Sequence, residues 1–304
     1  MMVGGVSFAY LIFVLNPIQV LSALIYPLSP RICRRVNRWC ARSIWGLWVL
    51  LAEVQNGTKV RFTGDHIPPR ENALLISNHQ TMADIMTLLC FAWRCGRLGD
   101  VKWFVKDALK FVPGVGWGMS LLDCIFVKRD WTRDAAEIQR VFANYRDHGL
   151  PFFLVSFLEG SRLTPEKLVR AQAYAKDRGL YVSKRTLVPR TKGFLATIEG
   201  LSEHVDAIYD ITIGYPDGVP PLLHCFGARV KRIELHIRRY PVESLPKHPD
   251  ELTTWACDRF QEKDGLLAHM ETNGAFPGDE ILGPVRPLDF FLSESRVSKR
   301  YQPD

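Results

Sequence analysis

The sequence predicts an α/β fold, a mixed and mostly parallel sheet flanked by helices, preceded by an N-terminal two-segment membrane helical motif. Three observations predict it. From Lys59 onward, short apolar runs alternate with stretches of helical periodicity, as strands and helices taken in turn would. The first 58 residues hold instead two long apolar segments with arginines between them. No low-complexity linker divides the 304 residues, and 47% of them are hydrophobic, enough for one full core. The chain thus divides into a helical membrane-associating segment over 1–58, an α/β domain over 59–276 and a C-terminal tail over 277–304.

The first segment runs from Val6 to Leu28, 23 residues without a charge, close to the ~20 that cross a bilayer as helix. Asn16-Pro17 falls midway. Proline lacks a backbone donor and disfavours helix at the residue before it, so one kinked span and two half-length helices dipping into the membrane both fit. A cleaved signal peptide does not, because no Lys or Arg precedes the run and no small-residue cleavage site ends it. The second segment, Trp39 to Val54, carries Trp39, Trp45 and Trp48, and tryptophan favours the headgroup boundary. Arg31, Arg34, Arg35, Arg38 and Arg42 lie where they could meet lipid phosphate. The competing reading is an ordinary amphipathic pair of core helices.

Ala73-Leu74-Leu75-Ile76 opens the strands, followed by a helix over Ile85 to Trp93. Lys102 to Val105 and Cys124 to Val127 read as further buried strands. Between Asp130 and Arg146, Ala135, Ile138, Val141, Phe142 and Tyr145 recur at helical spacing. Phe152 to Leu158 is an apolar strand. The next helix has Thr164 as its cap, Pro165 at its first position and Gly179 beyond its end. Ile208 to Ile213 forms a strand, Ile233, Leu235 and Ile237 alternate as in a half-exposed one, and a last amphipathic helix covers Glu251 to Met270. After Phe276 no strong pattern appears.

The formal charge of +7 suits anionic phosphate partners. Because the basic cluster sits between tryptophan-bearing apolar segments, a phospholipid membrane is expected and nucleic acid is not. Seven cysteines, none in a C-x-x-C pair, read as reduced and packed thiols. Without H-E-x-x-H or an EF-hand loop, neither a metal nor a cofactor is expected.

His79 follows the first strand and Asp84 comes five residues later. Within one α-helix that spacing would separate the side chains by about 140°. They meet only if His79 lies in the turn and Asp84 in the first helical turn, where a carboxylate could orient the imidazole and stabilise its protonated form. Thr81 with Asp84 also fits the [ST]-x-x-[DE] cap, so the spacing alone leaves helix cap and catalyst both open. Three basic clusters occupy successive strand ends, where ligands of open α/β sheets bind. These are Lys106, Lys128-Arg129 and Glu159-Gly160-Ser161-Arg162. Glycine admits a ligand to the backbone, serine offers a hydroxyl, and arginine grips phosphate through two parallel hydrogen bonds.

In order, Asn78-His79 through Asp84, Ile125 through Arg129, Phe157 through Arg162 and Leu187-Val188-Pro189-Arg190 resemble the four motifs of the glycerol-phosphate and lysophosphatidate acyltransferase family. Phe157 through Thr164 and Leu187 through Phe194 look most like its 1-acylglycerol-3-phosphate acyltransferase branch. Trp255, Phe260, Glu262-Lys263-Asp264 and Phe276-Pro277-Gly278 resemble the same branch, so the likeness covers most of the chain. It implies an acyltransferase domain over 59–276 in which His79, with Asp84, deprotonates the acceptor hydroxyl for attack on an acyl thioester. By motif position, Arg129 and Arg162 would hold the acceptor phosphate with help from Lys106. Glu159 would shape the site, Gly160 and Ser161 would line it, and Val188 and Pro189 would lie near the acyl donor. Asp123-Cys124 stands where the family often has glycine, and Ser161 replaces the commoner threonine while keeping its hydroxyl.

The expected reaction moves a fatty acyl group from acyl-CoA or acyl-carrier protein, each a co-substrate, to the sn-2 hydroxyl of lysophosphatidic acid, giving phosphatidic acid. Two readings compete with it. One is another lysophospholipid acceptor, such as lysophosphatidylinositol or lysocardiolipin; the other is a non-catalytic module that binds membrane lipid. The positive-inside rule puts Arg31 and the domain after it in the cytosol, at a bacterial inner membrane or the endoplasmic reticulum.

Overall fold

The structure, a computed structural model, describes residues 2–128, 131–225 and 227–301. The helices α1 (Met2–Tyr10) and α2 (Asn16–Ile25) are joined by a π-helical turn, Leu11–Leu15. Pro17 sits in the first turn of α2, and the widened turn ahead of it accommodates the missing N–H and the bulk of the ring. Of the two arrangements the sequence allowed, the continuous helix is the one formed, and Gly5–Ile25 is long and apolar enough to cross a membrane.

Ser29 caps the next helix, α3 (Pro30–Val49), by accepting the Ile32 N–H at 3.4 Å, and a second π-helical turn, Leu50–Gln55, extends it. The polar side chains of the first two helices point inward. Asn16, Gln19 and Ser22 are buried, and Ser22 accepts from the Asn37 amide of α3 at 2.9 Å. Phe13, Leu21 and Leu24 point outward. This inverts the pattern of a water-facing helix pair.

Three of the five clustered arginines also turn inward. Arg34 donates to Asn144 at 2.8 Å, Arg38 to Asp100 at 2.8 Å, and Arg42 to the Leu292 carbonyl. Arg31 and Arg35 remain exposed, so the arginines expected to meet lipid phosphate reduce to these two. Of the three tryptophans expected at the headgroup boundary, Trp45 lies in the core and Trp48 is half-buried, which leaves Trp39 exposed.

The domain follows as β1 (Lys59–Gly64), β2 (Ala73–Ser77), α4 (Ala83–Arg94), β3 (Val101–Lys106), α5 (Val115–Leu121), β4 (Ile125–Val127), α6 (Trp131–Asp147), β5 (Phe153–Ser156) and α7 (Pro165–Asp177). Then come α8 (Lys192–Leu201), β6 (Ala207–Gly214), α9 (Leu222–Cys225), β7 (Arg232–Pro241), α10 (Pro249–Asn273) and α11 (Glu294–Tyr301). Each predicted strand is present, with β5 ending at Ser156 because Phe157 and Leu158 enter a turn. The described part of the unpatterned tail, 277–301, contains a 3-10 turn, Pro287–Phe291, that packs on the Leu50–Gln55 turn, and α11, which packs on α4.

The strands form one sheet in the order β1-β7-β6-β2-β5-β3-β4. All neighbours are parallel except β6 and β7. All five residues of β2 and all eight of β6 are buried, as strands covered on both faces must be. Side chains alternate between two layers. Ala73, Leu75, Phe153 and Tyr209 face α3 and α4, whereas Leu74, Ile76, Leu154 and Ile208 face α6, α8 and α10. Buried Arg94 pairs with both carboxylate oxygens of Glu53, at 2.8 and 2.6 Å, and so ties α4 to the end of the α3 helix.

This topology selects the position of a site. The chain leaves β2 through α4 toward β3 on one side, and leaves β5 toward β6 on the other side. The carboxyl ends of adjacent β2 and β5 therefore open a crevice, the switch point at which open sheets bind ligands.

Candidate active site

His79 enters that crevice in the turn after β2. The turn is fixed by Asn78, whose carboxamide accepts from the Ile213 N–H at 2.8 Å and donates to the Ile213 carbonyl at 2.9 Å, locking it to β6. Asp84 is the second residue of α4 and is fully buried. Its Oδ2 lies 2.8 Å from His79 Nδ1 and accepts the N–H groups of Gln80 at 2.7 Å and Thr81 at 2.9 Å. Its Oδ1 accepts the Tyr215 hydroxyl at 2.6 Å. The one carboxylate thus holds both the N–H groups of the turn before α4 and the imidazole, while the N-cap position itself is Met82. A carboxylate that already accepts from three other donors takes the Nδ1 proton of His79 as a fourth, which leaves Nε2 with a lone pair. The imidazole stacks on Phe157, with ring centroids 3.9 Å apart and planes at 15°.

The turn after β5 meets the turn after β2 directly, since the Leu163 N–H donates to the His79 carbonyl at 2.7 Å. Gly160 has φ +69°, and a Cβ there would stand 3.0 Å from Arg190 Cδ, so left-handed backbone and a close approach both require glycine. The Arg190 N–H donates to the Leu158 carbonyl at 2.7 Å, which brings Val188 and Pro189 against Glu159 to Ser161. Glu159 is buried, and one carboxylate oxygen has no hydrogen-bond partner. Burial pushes its carboxyl well above the usual carboxylate range; backbone hydrogen bonds at His79 and Leu187 offset part of that, and the Asp84 charge adds to it.

A cleft of about 760 Å³ lies between α7 and the segment before α8. Glu159, Ser161, Val188 and Pro189 line it, so four of the predicted residues come together there. Lys167, Arg170, Arg190 and Lys192 make the rest of the lining basic, beside Tyr174 and Thr191; Arg190 lies in the fourth motif without an assigned role, and Lys167 and Arg170 belong to no motif. Lys106, at the end of β3, and Arg162, after β5, are exposed and do not line it. Arg129 lies outside the described residues.

Sequence reasoning also missed Tyr215, which sits 131 residues from Asp84 and has no local motif. The support from α10 carries a stronger signal. Lys263, fully buried, donates to the Ile211 carbonyl at 2.7 Å and pairs with Asp210. Asp264 accepts the Tyr181 hydroxyl at 2.9 Å and the Arg185 N–H at 2.7 Å, pinning the segment that leads into Val188. The departure at Asp123 also has a structural account. Its φ of +56° lies in the left-handed region that glycine usually fills, and its side chain is tied to the Asn144 amide at 3.1 Å.

A family model described as Acyltransferase matches residues 59–215, and one described as Acyltransferase C-terminus matches 224–295. The chain is 35% identical over 250 residues to a probable 1-acyl-sn-glycerol-3-phosphate acyltransferase 5 of Arabidopsis thaliana, covering 81% of this chain and 67% of that one. It is 32% identical over 291 residues to the 1-acyl-sn-glycerol-3-phosphate acyltransferase 2 of Brassica napus, covering 93% and 75%. With the 1-acyl-sn-glycerol-3-phosphate acyltransferase delta of Homo sapiens it shares 30% identity over 282 residues, covering 90% and 74%.

Proposed function

We infer that the chain, which belongs to the 1-acyl-sn-glycerol-3-phosphate acyltransferase family, acylates lysophosphatidic acid to phosphatidic acid at a membrane, with His79 as general base. The observation that carries the catalytic assignment is the 2.8 Å contact between His79 Nδ1 and Asp84 Oδ2 at the sheet's switch point.

Nε2 takes the proton of the acceptor's sn-2 hydroxyl as that oxygen attacks the thioester carbonyl carbon. Charge building on the imidazolium is balanced by Asp84, which holds the ring in the tautomer the step needs. When the tetrahedral intermediate collapses, the C–S bond breaks and the thiol leaves with the imidazolium proton. The donor is a thioester of coenzyme A or of acyl-carrier protein, a co-substrate, and the chemistry uses no further cofactor. Arg129 and Arg162 grip the acceptor phosphate, assisted by Lys106, while Glu159, Gly160 and Ser161 shape the floor and Val188 and Pro189 face the donor.

Attachment to the phospholipid membrane is supported by the first helix pair, whose polar groups are spent inside and whose apolar side chains face out. Trp117, exposed on α5 where that helix packs on α2, adds a further apolar side chain there. The basic residues that follow the span favour a cytosolic domain, at a bacterial inner membrane or the endoplasmic reticulum.

The test is acyl transfer by the purified full-length protein in detergent, with a panel of lysolipids and both donor types. Preference for lysophosphatidic acid supports the reading. Equal use of monoacylglycerol removes the phosphate site and leaves acyl transfer standing, and transfer to none of them refutes the assignment.

A further inference from the structure

Leu288 and Phe291 are 73% and 83% exposed, yet the turn that carries them, Pro287–Phe291, is held firmly from beneath. Asp289 is fully buried, accepts the Arg286 N–H at 3.0 Å, and is bonded by Arg300 and by the Tyr301 hydroxyl. Phe290 stacks on Trp93 with planes at 7°, and the Leu292 carbonyl accepts from Arg42 of α3. Two large apolar side chains are thus presented outward on an anchored base. An exposed apolar pair costs stability in water, and the side chains flanking it would have been free to cover it had the turn been loose.

The position of the turn identifies what covers it. Along α3, Ile32, Arg35, Trp39, Arg42 and Gly46 follow one another at spacings of three and four, which places them on one stripe of the helix. Its first part, Ile32, Arg35 and Trp39, is exposed. At its second part, Arg42 bonds the C-terminal segment, and a Cβ on Gly46 would lie 3.1 Å from the Phe290 ring. The C-terminal turn therefore covers the far part of a stripe, ~21 Å of helix long, whose exposed first part begins beside the apolar first span. Exposed Arg286 precedes the turn, and exposed Arg296 and Lys299 follow it on α11, so positive charge flanks the apolar tips on both sides along the chain. Apolar tips with basic flanks suit the headgroup layer of an anionic bilayer.

We propose that the Pro287–Phe291 turn is a second membrane-contacting element, which inserts Leu288 and Phe291 into the interface and holds α3 along the bilayer surface. It rests on the membrane attachment inferred for the first helix pair. With both ends of the α3 stripe engaged, the domain has one orientation toward the lipid plane that supplies its acceptor.

The test uses the full-length protein in phosphatidylcholine–phosphatidic acid vesicles, in a Cys257→Ser background, because the other six cysteines are buried. An environment-sensitive fluorophore is attached at Phe291→Cys, at Phe13→Cys on the first span and at Glu251→Cys on α10, across the sheet, and quenched with nitroxide-labelled lipid. Retained acyl transfer reports that each variant is folded. The proposal expects the label at 291 to be blue-shifted and quenched like that at 13, while the label at 251 stays solvent-like. If 13 is quenched and 291 behaves as 251, the proposal is overturned and attachment by the first span stands. If 13 is itself unquenched, membrane attachment fails and the proposal fails with it.

Discussion

The Tyr215 hydroxyl lies 2.6 Å from Asp84 Oδ1, the carboxylate oxygen that His79 does not use. Removing that donor with Tyr215→Phe leaves one lone-pair face of a fully buried carboxylate unpaired and lets it rotate away from the imidazole. The expected result is a fall in kcat of about 5- to 30-fold, the range of a lost hydrogen bond of ~1–2 kcal/mol, with KM for both substrates unchanged. Steady-state kinetics checks it. A KM effect without a kcat effect would give Tyr215 a binding role instead.

Asp84→Asn separates the two duties of one carboxylate. Asparagine can still accept from the Gln80 and Thr81 amides, so the turn and α4 should form, with circular dichroism and melting temperature close to wild type. It cannot balance an imidazolium, because the oxygen held by those two amides, which is also the one facing Nδ1, is then neutral, and its NH2 group faces the Tyr215 hydroxyl. Turnover should fall by roughly 10²–10⁴, the range of lost general-base catalysis.

Glu159 predicts a pH-dependent stability difference. Its folded carboxyl is raised above the ordinary value of 4.5, chiefly by burial. A raised acid stabilises the fold fully below its unfolded value and loses that contribution as pH rises toward the folded value. Wild type and Glu159→Gln should therefore melt alike at about pH 4, and Glu159→Gln should melt higher as pH approaches 7. Parallel melting curves across that range would contradict the burial argument.

Arg162 tests the acceptor contact. Arg162→Ala should lower kcat/KM for lysophosphatidic acid by about 10- to 100-fold, equivalent to the ~1.5–3 kcal/mol of a charged hydrogen bond. Removing the acceptor phosphate should then cost the variant little while costing wild type much, the signature of a coupled pair. The apparent affinity for acyl donor should change far less.

Much of this was legible in the sequence, for identifiable reasons. Each buried strand is a short apolar run bounded by turn residues, and His79 with Asp84 is a local pair whose geometry follows from where β2 ends. What escaped is long-range. Asn78 meets Ile213 across 135 positions, and Lys167, Arg170, Arg190 and Lys192 share a cleft only because Arg190 N–H bonds back to Leu158. Lys167 and Arg170 alone read as solvated charge, and the motif that holds Arg190 and Lys192 does not show that they share a cleft with them. The arginines of α3 misled in the opposite direction: a basic cluster beside an apolar span suggests lipid phosphate, yet Arg34 and Arg38 are spent on Asn144 and Asp100 of the domain. At Pro17 the pattern allowed a break, and the preceding π turn resolves it without one.

The most direct test of the central claim is the rate of thiol release from an acyl thioester in the presence of lysophosphatidic acid, wild type against His79→Ala, with folding and membrane attachment verified for both. Loss of a general base predicts a fall of at least roughly 10²-fold with donor and acceptor still bound. Near-normal release by His79→Ala would contradict the account and require a different base.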